Sequence, residues 1–342
     1  MIKGELKKYI QYSLPEPEYL MIEPTNRCNL RCNTCSRMNI LEIGDMSMDS
    51  FKKILDQMQS VKIIKFHGLG EPLLAKNAIL MLNHLSYLSC EVLIVTNCQW
   101  QGINIPMLLD LVDHIYISAS SSNEVGYKKY TGTGNWNLLI ENIKKIIHYK
   151  TEKTDVVLNF VCTKNNIDQV VDIIELASKL NISAVRYQIM QNWVEDKKTL
   201  LYQEIKKQEI NDINELIEQL YNMTIRADEL GIKVEIVGNE HFDYDKCVWP
   251  FRRVYITWKG DVIPCCMRPD PKFKMGNLLE EPFTKIWNSE RYDCLRTSLS
   301  EKNPLPVCIN CPYKALAPTM QYLKKQIKAK EDLLDQIALT LI

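Results

Sequence analysis

Short runs that alternate apolar and polar residues, each followed by apolar positions three and four apart, fill the first two-thirds of the chain. Tyr19–Thr25, Ile63–His67, Glu91–Thr96, His114–Ser118, Asp155–Thr163 and Ala184–Met190 read as strands. Between them, Met48–Gln59, Asn135–Tyr149 and Val170–Leu180 carry the amphipathic spacing of helices. Six strands alternating with helices predict parallel βα units in one layer, an open or closed barrel. A polar-rich helix over Leu200–Leu230 closes this region. Beyond it the pattern changes. Val254–Trp258 and Asp261–Cys265 flank Lys259-Gly260, a compact hairpin pattern. An amphipathic helix follows over about Pro282–Leu299, and Cys294 on it reads as a core residue. The tail Thr319–Ile342 predicts a last helix, with Leu323, Ile327, Leu333, Ile337 and Leu341 on one face.

Charge narrows the class. Lys+Arg and Asp+Glu both number 42 in 342 residues, so no bulk field draws the chain to nucleic acid or an anionic membrane. No apolar stretch approaches the roughly 18 residues of a membrane span. The start, Met-Ile-Lys-Gly-Glu-Leu-Lys-Lys, lacks the apolar segment of a secretion signal, so a cytoplasmic protein is expected. Twelve cysteines in so long a chain fit metal or cluster ligation better than a disulfide scaffold. Three lie within eight residues near the start, and six fall between Cys247 and Cys311.

Cys28, Cys32 and Cys35 directly follow the first strand with C-x3-C-x2-C spacing. Three thiolates can hold a cubane that normally takes four, leaving one iron open to a chelating ligand; a zinc loop is the plainer alternative. In a barrel, chemistry gathers at this end of the strands. After the second strand comes Phe66-His67-Gly68-Leu69-Gly70-Glu71-Pro72. Glycines there let a ligand approach the backbone, and an acidic side chain can meet an ammonium group.

This pairing resembles the radical S-adenosylmethionine (SAM) superfamily, over about Tyr19–Met190. The resemblance implies a partial (β/α)6 TIM-like barrel, a [4Fe–4S] cluster on Cys28, Cys32 and Cys35, and SAM as cofactor. It assigns Gly70 and Glu71, supported by Gly68, to the methionine amino group. Val95-Thr96-Asn97 resembles the family's "TNG" turn, with Cys98 in place of glycine, and nominates Asn97. Ile115–Ser120 resembles the fourth-strand "SID" end and nominates Ser118 for the ribose. Thr34 stands where an aromatic residue often lies beside the adenine. Reductive cleavage of SAM to a 5′-deoxyadenosyl radical is the implied activity.

Cys247, Cys265, Cys308 and Cys311 could complete a zinc site or a fully ligated cubane. Trp249-Pro250, Lys259–Cys266, Gly276-Asn277-Leu278 and Ile286-Trp287 around them resemble the SPASM and twitch domains of radical SAM enzymes. That likeness implies a second [4Fe–4S] cluster on those four cysteines in a small α+β twitch-type domain, because no cysteine follows Cys311. The gaps of 17, 42 and two residues are similar to those of radical SAM aminocyclitol dehydrogenases.

The expected organisation is a barrel over 1–235, an auxiliary-cluster domain over 236–318 and a terminal helix over 319–342. The expected reaction is oxidation of a carbinol to a ketone on an aminocyclitol or sugar, with the auxiliary cluster accepting the second electron. A small-molecule substrate is favoured because only about 18 residues precede the first strand, where peptide-modifying relatives often carry a leader-peptide-binding domain, although such a domain can also be a separate chain. A peptide is possible, and an electron donor such as flavodoxin or ferredoxin is required. The alternative is an epimerase or peptide-modifying enzyme in which a cysteine such as Cys266 returns hydrogen. Arg186 and Gln188 alternate on the sixth strand as candidate substrate contacts, with Asn159 and Tyr116 weaker ones. No histidine shows metal spacing.

Overall fold

A computed structural model describes residues 15–39, 42–194, 196–237, 243–266, 271–309, 311, 313–314, 317–318, 320–322, 325 and 337–340. Strands β1 (Tyr19–Ile22), β2 (Ile63–Phe66), β3 (Glu91–Thr96), β4 (His114–Ser118), β5 (Asp155–Cys162), β6 (Ala184–Ile189) and β7 (Lys233–Val237) lie parallel and in sequence order. Helices connect them in the manner of the expected partial barrel. The sheet continues on the far side of β1 through β8 (Arg253–Ile256), β9 (Asp261–Ile263) and β10 (Gly276–Asn277). β8 runs parallel to β1, with Tyr19 opposite Arg253 and Ile22 opposite Ile256, and β9 turns back against it. The auxiliary region therefore shares one sheet with the barrel.

Alternation along the strands makes two faces. Leu20, Ile22, Ile64, Phe66, Val92, Ile94, Ile115, Ile117, Leu158, Val185 and Tyr187 are buried under the helices in one apolar core. The alternate residues form the inner face, where the burial pattern of β2, β4 and β6 is intermediate rather than complete. Helix starts are fixed by side chains that accept orphan backbone N–H groups. Ser47, Asn104, Asn123 and Asn135 cap the helices Met48–Leu55, Ile105–Asp110, Glu124–Thr131 and Trp136–Tyr149.

Capping also explains where expectations fail. The predicted helix Leu200–Leu230 is two, Leu200–Lys206 and Ile213–Glu229, because Asp212 turns its carboxylate onto the N–H groups of Asn214 and Glu215. Pro282–Leu299 likewise divides into Phe283–Trp287 and Glu290–Ser300, with Ser289 capping the second. Cys294 is exposed on that second helix and not in the core. β7 was not predicted; it follows a turn at Gly231 (φ +64) and carries the sheet past the expected boundary at 235. The tail is not one helix. Its residues Ile337–Thr340 form β11, parallel to β7 at that otherwise open edge.

Arg296 ties the auxiliary region together. Its side chain is 5% exposed, donates to the backbone carbonyls of Pro250 and Trp287 at 2.7 Å each, and stacks on Trp287 and Tyr292 at 4.4 and 4.7 Å. Replacing it strands two buried carbonyls. Arg296→Met should remove about 3–5 kcal/mol, read as a lower urea midpoint, with amides of Glu290–Ser300 exchanging first. An unchanged midpoint would show that the buried guanidinium contributes nothing net.

Candidate active site

The segment carrying Cys28, Cys32 and Cys35 leaves β1 and is gripped from three sides. Glu71 N–H donates to the Arg27 carbonyl at 2.7 Å, from the turn after β2. Arg31 and Asn33 donate their backbone N–H groups to the carbonyls of Thr131 and Tyr130 at 2.9 and 3.0 Å. From the exit of β3, Asn97 Nδ2 donates to Asn29 Oδ1 at 3.0 Å and toward Cys28 Sγ at 3.7 Å. The three thiols sit together: burial pushes the pKa of each upward, and Cys35 and Cys28 add to the rise at Cys32. A cluster bound there would relieve this by taking the thiolates as ligands.

Glu71 is buried and fully engaged. Its Oε2 accepts from the Asn97 N–H at 2.6 Å, and its Oε1 from Thr96 Oγ1 at 2.7 Å and the Leu73 N–H at 3.3 Å. Burial raises its pKa to about 7, against those three bonds. The carboxylate thus locks the β2 turn to the β3 exit. The glycines also serve sterics first. A Cβ on Gly70 would lie 2.4 Å from the Arg27 carbonyl oxygen, and one on Gly68 would lie 2.3 Å from Glu23 Cγ. Cys98, standing where the family has glycine, adopts φ +53, the left-handed conformation glycine tolerates best. Asn142 holds it there by donating to the Cys98 and Trp100 carbonyls at 2.9 Å. Ser118 ends β4 on the inner face, opposite Asn159. Thr34 shares a 2.8 Å hydrogen bond with Tyr130, which brings an aromatic ring to the third cysteine from another segment.

Cys247, Cys308 and Cys311 pack together against Tyr244, Leu295 and Leu299. Burial lifts the Cys247 thiol to about 12, and Cys265 is the next contributor, ahead of Cys311. Three of the four expected ligands thus pack in one group, with Cys265 within electrostatic reach of Cys247, and such thiols suit a fully ligated cluster. Cys266 packs against Met21, Trp249, Tyr255 and Ile263, a cluster that Tyr19 and Cys247 also touch. Among the described residues, no three His, Cys, Asp or Glu groups converge on one metal ion. A cubane spreads its ligands over separate iron corners and asks for wider spacing.

Arg186 and Gln188 do face the inside of the sheet, on half-buried positions of β6. Arg186 lies opposite Asn159 and Glu235, its guanidinium 5.2 Å above the Tyr116 ring and its Nε 3.3 Å from a Glu235 oxygen. Sequence reading passed over Lys65, Glu235 and Glu23. A lysine inside the apolar run Ile-Ile-Lys-Phe was the available sign for Lys65. His67, on the same face, has an unpartnered buried Nδ1, and burial pulls its pKa down to about 3.

Residues 22–177 match the radical SAM superfamily, and residues 247–312 match SPASM, an iron–sulfur cluster-binding domain. The chain is 27% identical over 333 residues to the tungsten-containing aldehyde ferredoxin oxidoreductase cofactor-modifying protein of Pyrococcus furiosus, covering 86% of this chain and 87% of that protein. Streptococcus suis SuiB bound to its precursor peptide SuiA superposes with a TM-score of 0.67 at 17% identity, covering 82% of this chain and 67% of SuiB. BtrN in complex with AdoMet and 2-DOIA reaches a TM-score of only 0.49 at 17% identity, over 84% of this chain and 89% of BtrN. That likeness is too loose to favour an aminocyclitol. Among the described residues, no helix is long and apolar enough to cross a membrane. The matched domains imply SAM, a [4Fe–4S] cluster for it, and auxiliary [4Fe–4S] ligation, which the two groups of converging thiols fit. The chain is a radical SAM enzyme in which a radical SAM domain is joined, through one continuous sheet, to a SPASM-type iron–sulfur cluster-binding domain.

Proposed function

We propose that the enzyme oxidises a polar substrate held on the inner face, with SAM and the first cluster at Cys28, Cys32 and Cys35. Cys247, Cys265, Cys308 and Cys311 hold the cluster that accepts the second electron. When bound, SAM and the first cluster supply a 5′-deoxyadenosyl radical able to remove an unactivated hydrogen atom. The observation that supports this reading is Tyr313, a buried residue edge-on to Trp193 at 6.4 Å and within electrostatic reach of Arg186 and Cys266 as well as of Cys265 and Cys311.

The protein's part is positioning. Glu71 keeps the glycine turn and Asn97 in one arrangement, Gly70 keeps that turn tight on the cysteine segment, and Ser118 and Asn159 offer polar contacts at the strand ends. Loss of a hydrogen atom, an electron and a proton turns a carbinol into a ketone, the simplest outcome on a sugar or aminocyclitol. A flavodoxin or ferredoxin would supply the reducing electron. A second reading follows from Cys266, whose packing against Met21 of β1 and Tyr255 of β8 suits a thiol that returns hydrogen in an epimerisation. A peptide substrate gains support from the fold shared with peptide-bound SuiB.

Anaerobically reconstituted protein should hold about eight irons and eight sulfides, the content of two cubanes. Changing Cys28, Cys32 and Cys35 together to Ala should halve that content and end 5′-deoxyadenosine formation. A triple variant that still cleaves SAM overturns the assignment of the first cluster.

Glu71→Gln should keep both clusters and weaken SAM binding roughly 10- to 150-fold, the 1.5–3 kcal/mol of a charge-assisted hydrogen bond. The amide would present an N–H to a donor, either Asn97 N–H or Thr96 Oγ1–H. Equal affinity in equilibrium binding to fully loaded protein would remove Glu71 from the cofactor site.

Cys308→Ala should permit SAM cleavage but stop formation of oxidised product, and product made in heavy water should carry no solvent deuterium at the reacting carbon. Mass spectrometry decides. A product of unchanged mass in ordinary water that gains one deuterium in heavy water, and that disappears in Cys266→Ala, selects epimerisation.

A further inference from the structure

Beside the first thiol of the triad, three residues close a ring of amide hydrogen bonds. The Gln99 N–H donates to Asn97 Oδ1 at 2.8 Å, Asn97 Nδ2 donates to Asn29 Oδ1 at 3.0 Å, and Asn29 Nδ2 donates to the Gln99 carbonyl. Only one way round satisfies the ring. Turning either asparagine amide over would set donor against donor and acceptor against acceptor. Two anchors hold it from outside. The Gln99 side chain accepts the Asn135 N–H at 2.7 Å and donates to the Asn135 carbonyl at 3.0 Å, at the start of the helix Trp136–Tyr149. The Asn97 backbone N–H donates to the buried Glu71 carboxylate at 2.6 Å.

The ring uses one of the two protons on Asn97 Nδ2. The same nitrogen lies 3.7 Å from Cys28 Sγ, within donor reach of the larger sulfur atom. The Leu30 N–H approaches that sulfur at 3.5 Å. Asn97 is 7% exposed, so water competes little for its amide. A thiolate that ligates a cluster carries negative charge, and that charge grows when the cluster gains an electron. A fixed N–H donor therefore stabilises the reduced state more than the oxidised one. Hydrogen bonds to the sulfurs are among the factors that set a cluster's reduction potential, and groups behind the ligands hold them in place.

We propose that the Asn97 amide donates to the Cys28 thiolate of the first cluster and raises that cluster's reduction potential, with Asn29 and Gln99 holding the amide in place. This rests on the functional reading above, which puts the first cluster on Cys28, Cys32 and Cys35, and adds what sets its readiness to accept the electron that cleaves SAM. The Leu30 N–H belongs to the cysteine segment itself. Asn97 comes from the exit of β3, so its donation ties the cluster's electronics to the sheet.

The test is electron paramagnetic resonance on the reconstituted full chain, made with asparagine carrying nitrogen-15 in its side-chain amide and reduced with dithionite. The signal of the first cluster is the one that changes when SAM is added. In the wild type, pulsed measurement of that signal should show a nitrogen-15 coupling. Asn97→Leu removes the amide at similar volume, and Asn97→Asp keeps the oxygen that accepts from Gln99 but has no donor. Both should lose the coupling. In a potentiometric titration, both should shift the one-electron equilibrium of that signal about tenfold towards the oxidised state, a fall of ~59 mV. The potential of the other cluster should not move. Iron content reports loading of each variant, and if one variant does not load, the other decides. The wild-type coupling needs neither. No coupling in the wild type, a coupling that persists in the variants, an unchanged potential, or an equal fall at both clusters overturns the proposal. In each of those cases the SAM-responsive signal leaves the first-cluster reading standing. If Cys28→Ala instead retains that signal, the cluster is not on Cys28, and that reading falls together with the proposal.

Discussion

Glu23 leaves β1 as a buried carboxylate with no cation paired to it among the described residues, and three other segments close on it. The Leu69 N–H donates to Oε2 at 2.8 Å from the glycine turn, and Tyr255 Oη donates to the same oxygen at 2.7 Å from β8. The Trp258 N–H reaches Oε1 at 3.4 Å from the hairpin. Burial raises its pKa, and those bonds oppose the rise. Such a group adds little net stability, because desolvation offsets its hydrogen bonds, but few alternative arrangements could satisfy it. It fixes the relation of the SAM segment to the auxiliary hairpin. Gly68 is a glycine because Glu23 fills the space of its side chain. The parallel pairing of β8 with β1 then transmits that position to the cysteines beyond the hairpin.

The division of the sheet into two faces follows from a period of two and decides where chemistry can occur. One face is apolar and sealed by capped helices. On the other, Lys65, Tyr116, Arg186 and Glu235 would be intolerable in a dry core, and here they are half-buried along a concave interior. Register brings Arg186 between Asn159 and Glu235, so residues far apart in sequence meet without any loop being required to carry them.

What could be read from the sequence was local. The C-x3-C-x2-C run and the C-x2-C pair announce ligation because short spacing alone brings thiols together, and the strands of the barrel announce themselves by periodicity. Cys98 explains itself only through its backbone: φ +53 shows why glycine suits that turn, and the carbonyl bonds from Asn142 show how a cysteine is held there. Non-local facts were hidden. Asp212 and Ser289 broke helices whose apolar spacing ran on across them, because a cap competes with continuation and periodicity does not record it. Glu71 is legible from its motif, but its partners Thr96 and Asn97, 25 and 26 residues away, are not. Thr34 meets the Tyr130 hydroxyl, from a helix no local window connects to it.

Cys265 and Cys266 are neighbours in sequence to which the proposed function gives different roles. Cys265 lies within electrostatic reach of Cys247, while Cys266 packs against Met21, Trp249, Tyr255 and Ile263, a cluster that Cys247 and Tyr19 also touch. Strand β9 ends at Ile263, so the two cysteines sit where the chain leaves the sheet and adjacent side chains are free to diverge. Under the proposed function, electron acceptance through Cys265 and hydrogen return through Cys266 would draw on the same turn, so substitutions at Ile263 or Tyr255, which pack against Cys266, would be felt by both.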